Sequence, residues 1–391
     1  MSRATRFVEA LMLLGVLTLT GACTAIGNLF DNPDNTAKPA ELVDFEPTVQ
    51  IRTVWQRSVG TGAGKLFLKL RPAIGADRIY AATRDGRVRA FDARTGESLW
   101  DTDTDSPLSG GPGVGDGLVL LGTSDGEVLA LAEDDGAVKW RARVSSEVLS
   151  APQAIGGVAV ARTIDGKLFG LASDDGTRLW VYDRTTPVLT LRGTSSPALA
   201  EGAAVAGFDG GQMVAVAMSN GQPLWETRVA VPRGRTELER MVDIDADPLI
   251  DGKTVYAVTY QGQLAALDLM SGQVVWRRDM SSHAGLGIGR DNVYVTDDAG
   301  HVWALNRSNS ASMWRQAKLE ARRLSPPAVF GPYVIVGDLE GYVHWLRQED
   351  GQFAARVRVD AGRIVAAPVA TPFAVYVYGS GGELTALQVV Q

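Results

Sequence analysis

Residues 85–100 read DGRVRAFDARTGESLW, residues 125–140 read DGEVLALAEDDGAVKW and residues 165–180 read DGKLFGLASDDGTRLW. Each stretch carries a turn glycine, a second glycine ten residues later and a tryptophan four residues after that: Gly86, Gly96 and Trp100; Gly126, Gly136 and Trp140; Gly166, Gly176 and Trp180. The phase continues through Gly211, Gly221 and Trp225, then Gly262, Gly272 and Trp276. A sixth copy runs from Gly300 to Trp314 with Ser310 at the second glycine position, and a seventh has Gly341 and Gly351 but Ala355 in place of the tryptophan. An eighth copy begins at Gly382 and stops nine residues later, while Trp55 stands near the other end with no turn-glycine unit before it. The eight positions from 55 to 355 are spaced by about 43 residues on average, the length of a four-stranded propeller blade.

The segments between these landmarks read as short strands. Before the turn glycines come β-rich runs such as Val255-Tyr-Ala-Val-Thr259, and after them alternating runs such as Gln263-Leu-Ala-Ala-Leu-Asp268. Asp-Gly and Gly-Gly pairs suit tight hairpins, whose turn residues must tolerate positive φ. The pattern predicts an all-β fold, an eight-bladed β-propeller of four-stranded antiparallel blades over residues 48–391, with Ile51 to Trp55 completing the last blade. Trp55, Trp100, Trp140, Trp180, Trp225, Trp276 and Trp314 are then expected to dock each blade on the next.

Composition agrees and excludes alternatives. The 391 residues are 45% hydrophobic and 21% charged, enough apolar material for a core, and 44 Gly with 17 Pro supply many turns. Net charge is −7, which argues against a nucleic-acid binder that relies on a global positive field. One cysteine forms no internal disulfide, and three histidines from three different copies leave little material for a metal site. Two local motifs fail on context. Gly122-Thr-Ser-Asp-Gly126 has the spacing of a nucleophile elbow, but it falls on a strand-to-strand turn rather than a strand-to-helix turn. Gly60-Thr-Gly-Ala-Gly64-Lys65 lacks the first glycine and the Ser or Thr of a phosphate loop, with Val59 and Leu66 in their places.

The cysteine lies where a leader would end. Arg3 and Arg6 precede an apolar run from Ala10 to Leu19, and Thr20-Gly21-Ala22 leads to Cys23. The run is too short to span a bilayer, and the segment resembles a bacterial lipoprotein signal in which Cys23 becomes the acylated N-terminus. The usual Leu three residues before the cysteine is Thr20 here. Residues 1–22 are therefore expected to be removed. Residues 23–47, with Pro33, Pro39 and Pro47 among Asn and Asp, have the composition of a flexible linker. By the sorting rule that this resemblance implies, Thr24 rather than Asp after the cysteine favours the outer membrane.

The glycine-to-tryptophan repeat is shared by the tryptophan-docked propellers, which include the pyrroloquinoline-quinone dehydrogenases. Combined with a lipoprotein signal and no further domain, it resembles the BamB family, propeller lipoproteins of the machinery that inserts β-barrels into the bacterial outer membrane. The resemblance implies a non-catalytic scaffold with no cofactor, anchored by lipid on the periplasmic side of the outer membrane. Its partner would be the periplasmic domains of the barrel-forming subunit; propeller edges and loops could also engage unfolded outer-membrane protein chains by strand addition. Two alternatives stay open. A quinone-dependent dehydrogenase would need an axial cofactor site and typically an adjacent cysteine pair, and the only cysteine is Cys23. The other is a scaffold for a different envelope complex.

Function is best sought where the repeat is interrupted. From tryptophan to next turn glycine the chain takes 31, 31 and 37 residues after Trp55, Trp180 and Trp225, against 24 to 27 elsewhere. These connections all link an outer strand to the next inner strand, so they should emerge on one face, the last two as neighbours. The loop after Trp180 offers Leu189, Leu191 and Arg192, and the loop after Trp225 offers Asp243 and Asp245 behind a turn capped by Thr236 and Glu239. Leu189 and Leu191 could instead be core, and Arg192 could pair internally with either aspartate. In the family that the chain resembles, L-x-L-R-G and D-x-D loops meet the barrel-forming subunit. That likeness implies one partner-binding patch of Leu189, Leu191, Arg192, Asp243 and Asp245, with the aspartates either touching the partner or orienting the arginine.

Overall fold

The computed structural model describes residues 37–64, 66, 68–184, 193–200, 202–236 and 238–390. Cys23, Leu189, Leu191 and Arg192 lie outside the described residues. The described residues form thirty-two strands, β1 to β32 in chain order, arranged as eight four-stranded antiparallel sheets. Blade 1 shows the plan: β2 (Ala73–Ile74), β3 (Arg78–Ala82), β4 (Arg87–Asp92) and β5 (Ser98–Asp103), paired in that order. The first strand of each blade touches the first strand of the next from blade 1 to blade 8, so these short strands surround the axis and the tryptophan strands form the rim. This is the eight-bladed propeller that the repeat predicts, and blade 8 is completed as expected. There β30 (Val369–Ala370), β31 (Val375–Tyr378) and β32 (Glu383–Val390) are joined by β1 (Gln50–Ser58), with Gln50 opposite Val390 and Trp55 opposite Ala386.

The repeat residues have a common physical task. Each of the seven tryptophans donates its indole N–H to a backbone carbonyl in the next blade, at 2.7–3.0 Å. Trp140, for example, packs with Leu120 and Val128 of its own blade and with Ala161 and Phe169 of the following one. The second glycine of the repeat lies under the ring. Gly136 has φ of 73°, and a Cβ there would sit 2.5 Å from Cε3 of Trp100, so both backbone sign and space demand glycine. Within a blade the tryptophan faces a small residue on the third strand: Ala90 opposite Trp100, Ala130 opposite Trp140, Gly170 opposite Trp180.

Blade 7 reverses this arrangement. Ala355 on β29 (Phe353–Arg358) faces Trp345 on β28 (Tyr342–Arg347), so the large and small residues have exchanged strands. Trp345 is completely buried, and its indole nitrogen has no hydrogen-bond partner.

The outer side of blade 7 also corrects the linker boundary. Residues 40–48 lie against it rather than continuing as free linker to residue 47. Ala40 N–H donates to Glu320 O and Thr48 N–H to Ala354 O, both at 2.9 Å. Arg322 donates to Ala40 O at 2.9 Å and Arg356 to Val43 O at 3.0 Å, while Phe45 stacks on Phe353 with ring centroids 5.2 Å apart. Leu42 packs against the core between blades 6 and 7. The polar, proline-rich composition concealed this strap because most of its contacts use backbone carbonyls, which every sequence has.

Candidate functional site

The described end of the loop after β13 (Arg178–Asp183), residues 193–197, lies against the loop after β17 (Pro223–Arg228), as their consecutive position leads one to expect. Ser196 N–H donates to Asp247 Oδ1 at 2.6 Å, and a Cβ on Gly193 would lie 2.9 Å from Cγ of Asp245. The glycine that ends L-x-L-R-G therefore rests on the second carboxylate of D-x-D. At the start of the second loop the Thr236 hydroxyl accepts the Glu239 N–H at 3.2 Å, and the Glu239 carboxylate accepts Thr236 N–H at 3.3 Å. This is the expected reciprocal cap, here on a single turn.

Asp243 and Asp245 do not stand on the surface. They are 1% and 5% exposed. Asp243 accepts Gly210 N–H at 3.2 Å, and both carboxylates act electrostatically on Arg162, which is completely buried at the end of β11 (Val158–Arg162). Arg162 reaches Asp209 at 3.4 Å and Ser195 Oγ at 3.5 Å, and its guanidinium lies 4.8 Å from the centre of the Phe208 ring. Burial pushes the Asp209 carboxyl up to about 6; Arg162 opposes the shift, and Asp243 and Asp245 reinforce it. Burial raises Asp245 too, opposed by Lys69 and Arg162. Three carboxylates thus surround one buried guanidinium, an arrangement that is costly without further positive charge. One Asp245 oxygen, Oδ1, is buried without a hydrogen-bond partner.

Sequence reading overlooked Arg162 and Asp209, although a signal existed. Four residues before the turn glycine the copies have Ala82, Gly122, Arg162, Gly207, Val258, Thr296, Gly337 and Tyr378, so only the third places a charge on that buried strand position.

The third long loop, between β1 and β2, occupies the axis. Lys69 crosses it and donates to Asp245 O at 2.8 Å, and Arg71 lies 3.9 Å from Asp247. The space left at the axis beside Lys69, Arg71, Ser150, Ser196, Asp247 and Ala366 is about 50 Å³. That is room for a water or two, far below the volume of a tricyclic quinone. The Gly60–Gly64 run belongs to this plug, with Gly64 N–H donating to Ser380 O and Gly62 O accepting Arg84 N–H, both at 3.1 Å. Ser124 sits in the turn between β7 (Leu118–Thr123) and β8 (Glu127–Ala132), where its N–H donates to Pro107 O at 3.1 Å.

Residues 84–316 match the family model described as outer membrane protein assembly factor BamB. A Pseudomonas aeruginosa protein of that name is 52% identical over 94% of this chain and 97% of its own length. The crystal structure of BamB from Moraxella catarrhalis superposes with a TM-score of 0.80 at 28% identity, covering 87% of this chain and all of that one. A quinohemoprotein alcohol dehydrogenase from Comamonas testosteroni superposes with a TM-score of 0.68 at 12% identity, over 87% of this chain and 76% of that one, a likeness of fold alone. Built on the tryptophan-docked ring and matched along nearly its whole length, the chain belongs to the BamB family of outer membrane protein assembly factors.

Proposed function

We propose that this protein is a non-catalytic scaffold lipoprotein of the outer-membrane β-barrel assembly complex. It is held on the periplasmic side of the outer membrane by acyl chains on Cys23, and it docks on the periplasmic domains of the barrel-forming subunit. Family membership supports the assembly role. The plugged axis speaks against the dehydrogenase alternative, since the place where related enzymes would hold a quinone is crossed by Lys69.

The observation that carries the docking reading is the junction of the two loops at Gly193 and Asp245, above a cluster with three carboxylates and one guanidinium. Buried Asp243 and Asp245 are poorly placed to touch a partner, so their role in this reading is to hold Arg192, the only cation in residues 185–192. Leu189 and Leu191 then supply the apolar contact beside a guanidinium whose orientation is set from below. The test is capture of the barrel subunit's periplasmic domains by wild type and by Arg192→Glu, with melting curves for both. Loss of capture at a melting temperature within a few degrees of wild type is expected. Unchanged capture by the folded variant removes the patch from consideration.

A further inference from the structure

Lys69 lies between blades 8 and 1, and Asp245 lies between blades 4 and 5, on the opposite side of an eight-membered ring. Their 2.8 Å hydrogen bond therefore spans the axis. The acceptor is the backbone carbonyl of Asp245, so the ammonium fixes the loop's main chain rather than one of its side chains. Arg71 adds a second, longer tie at 3.9 Å to Asp247, and Asp247 in turn accepts Ser196 N–H from the loop between blades 3 and 4. Ser196 Oγ accepts Ala151 N–H at 3.2 Å from the loop between blades 2 and 3. Contacts thus run from the plug into three successive inter-blade loops.

The plug is itself firmly held at its own side of the ring. Val59, Ala63, Leu68 and Leu70 are buried in the core shared by blades 8 and 1, and Val59 N–H donates to Gly382 O at 2.8 Å. Leu68 and Leu70 flank Lys69, so the chain bearing the ammonium is anchored on both sides by apolar burial. The stretch from Met241 to Asp247 is a non-strand connection in which Met241, Val242, Ile244 and Ala246 are buried, and two of its three aspartates, Asp243 and Asp245, are buried among like charges. Its side chains are held by that burial, while its backbone has no strand partner and is tied by Ile244 N–H to Phe208 O at 3.4 Å and by Tyr260 N–H to Asp243 O at 2.9 Å, so a fixed donor at Asp245 O adds the restraint from across the ring. Lys69 also faces the negative side of the cluster, where its charge favours the ionised form of Asp245.

We infer that the axial plug, through Lys69, is a positioning device for the docking face: it fixes the main chain of the D-x-D loop from across the ring and, through Asp245 and Asp247, the adjoining residues 193–196. This rests on the docking reading above and adds a residue to it that lies far from the two loops in sequence. Lys69 is a positioning residue with no contact to the partner required of it.

The test uses the full-length protein with Lys69→Met, which keeps the stem and removes the charge, and Lys69→Arg, which restores a cationic donor. In Lys69→Met, amide exchange in residues 241–247 is expected to rise at least tenfold while blade strands are unchanged. Affinity for the barrel subunit's periplasmic domains is expected to fall about tenfold, and Lys69→Arg should recover most of both effects. Unchanged exchange in residues 241–247 of Lys69→Met overturns the inference whatever the binding result. Raised exchange with undiminished affinity also overturns it, since the loop would then move without consequence for docking. If wild type itself fails to bind the barrel subunit, the docking reading and the inference built on it both fall, and the exchange arm alone shows whether the plug restrains the loop. If Lys69→Met melts globally early, the milder Arg71→Gln takes its place, with raised exchange expected at residues 194–196 and 245–249 and its absence counting against the inference.

Discussion

Seven seams of this ring are closed by a tryptophan, and the seam from blade 7 to blade 8 is not. At the seven, an indole N–H from one outer strand meets a carbonyl in or beside the turn before the next outer strand. Blade 8 takes its third strand, β32, and its outer strand, β1, from distant parts of the sequence, so no hairpin turn joins them. A tryptophan at position 355 would have no such turn on which to dock. The chain has Ala355 there, moves the bulk to Trp345 on the neighbouring strand, and lays residues 40–48 along the outer side of blade 7. The difference teaches that a docking tryptophan is half of a device whose other half is the receiving turn.

Removing β1 should break the comparison most severely. Deletion of residues 49–57 takes away the outer strand of blade 8 together with Trp55, exposes the edge of β32 and opens the core around Phe91 and Tyr376. Loss of the cooperative thermal transition is expected by circular dichroism. Deletion of 24–38 should leave the melting temperature unchanged, and deletion of 40–47 should lower it by an intermediate amount, since it strips Arg322 and Arg356 of carbonyl partners without opening the ring. Equal melting temperatures for all three would refute closure by β1.

Next in size is the tryptophan itself. Trp140→Ala or Trp180→Ala should cost about 3 to 5 kcal/mol by leaving a cavity between blades. The finer comparison replaces tryptophan by phenylalanine, which keeps most of the ring and loses the N–H. Trp140→Phe orphans the Ser173 carbonyl and should cost about 1 to 3 kcal/mol more than Trp345→Phe, whose indole nitrogen has no partner to lose. Urea titration of the pair decides it; equal losses would mean that packing alone closes every seam.

The columns of the repeat made much of this legible. Spacing of Gly and Trp led to the blade count, the phase and the closing strand, because hairpin turns and inter-blade packing each restrict residue type at a fixed offset. Trp345 was missed, although the same columns carried its signal: it stands ten residues before position 355, where Ala90, Ala130 and Gly170 stand before their tryptophans. The functional face was only partly readable. Loop lengths placed the two interrupted connections side by side, but spacing does not say which side of a loop faces inward, and Asp243 and Asp245 turned out to serve the interior. Lys69 could not be found from sequence, since its acceptor is a backbone carbonyl across the ring.

The smallest effect separates the seam between blades 3 and 4 from the strap region of blade 7 by pH. In the first, burial raises Asp209 from 3.8 to about 6, with Arg162, Asp243 and Asp245 around it, and Asp245 is shifted in the same direction. A carboxyl raised in the folded state contributes stability that is fully present below about pH 4 and is lost as pH rises through about 6. In the second, burial lowers His344, with Arg356 and Arg322 adding to the shift and Asp338 opposing it. With its proton on Nε2 the neutral ring donates to Asp338 at 3.0 Å and accepts from Arg356 at 3.3 Å, and Arg356 also donates to the strap at Val43. A histidine lowered in the folded state contributes stability that is present above its ordinary value of 6.5 and is lost as pH falls below it. The two regions should therefore respond in opposite directions between pH 5 and pH 7.5. Amide exchange, corrected for its intrinsic pH dependence, should show residues 203–214 better protected at pH 5 and residues 40–48 better protected at pH 7.5. His344→Gln, which keeps an amide donor and acceptor, should flatten the response of the strap and leave that of residues 203–214 unchanged; a strap that still loosens at pH 5 in this variant would assign the effect to another group.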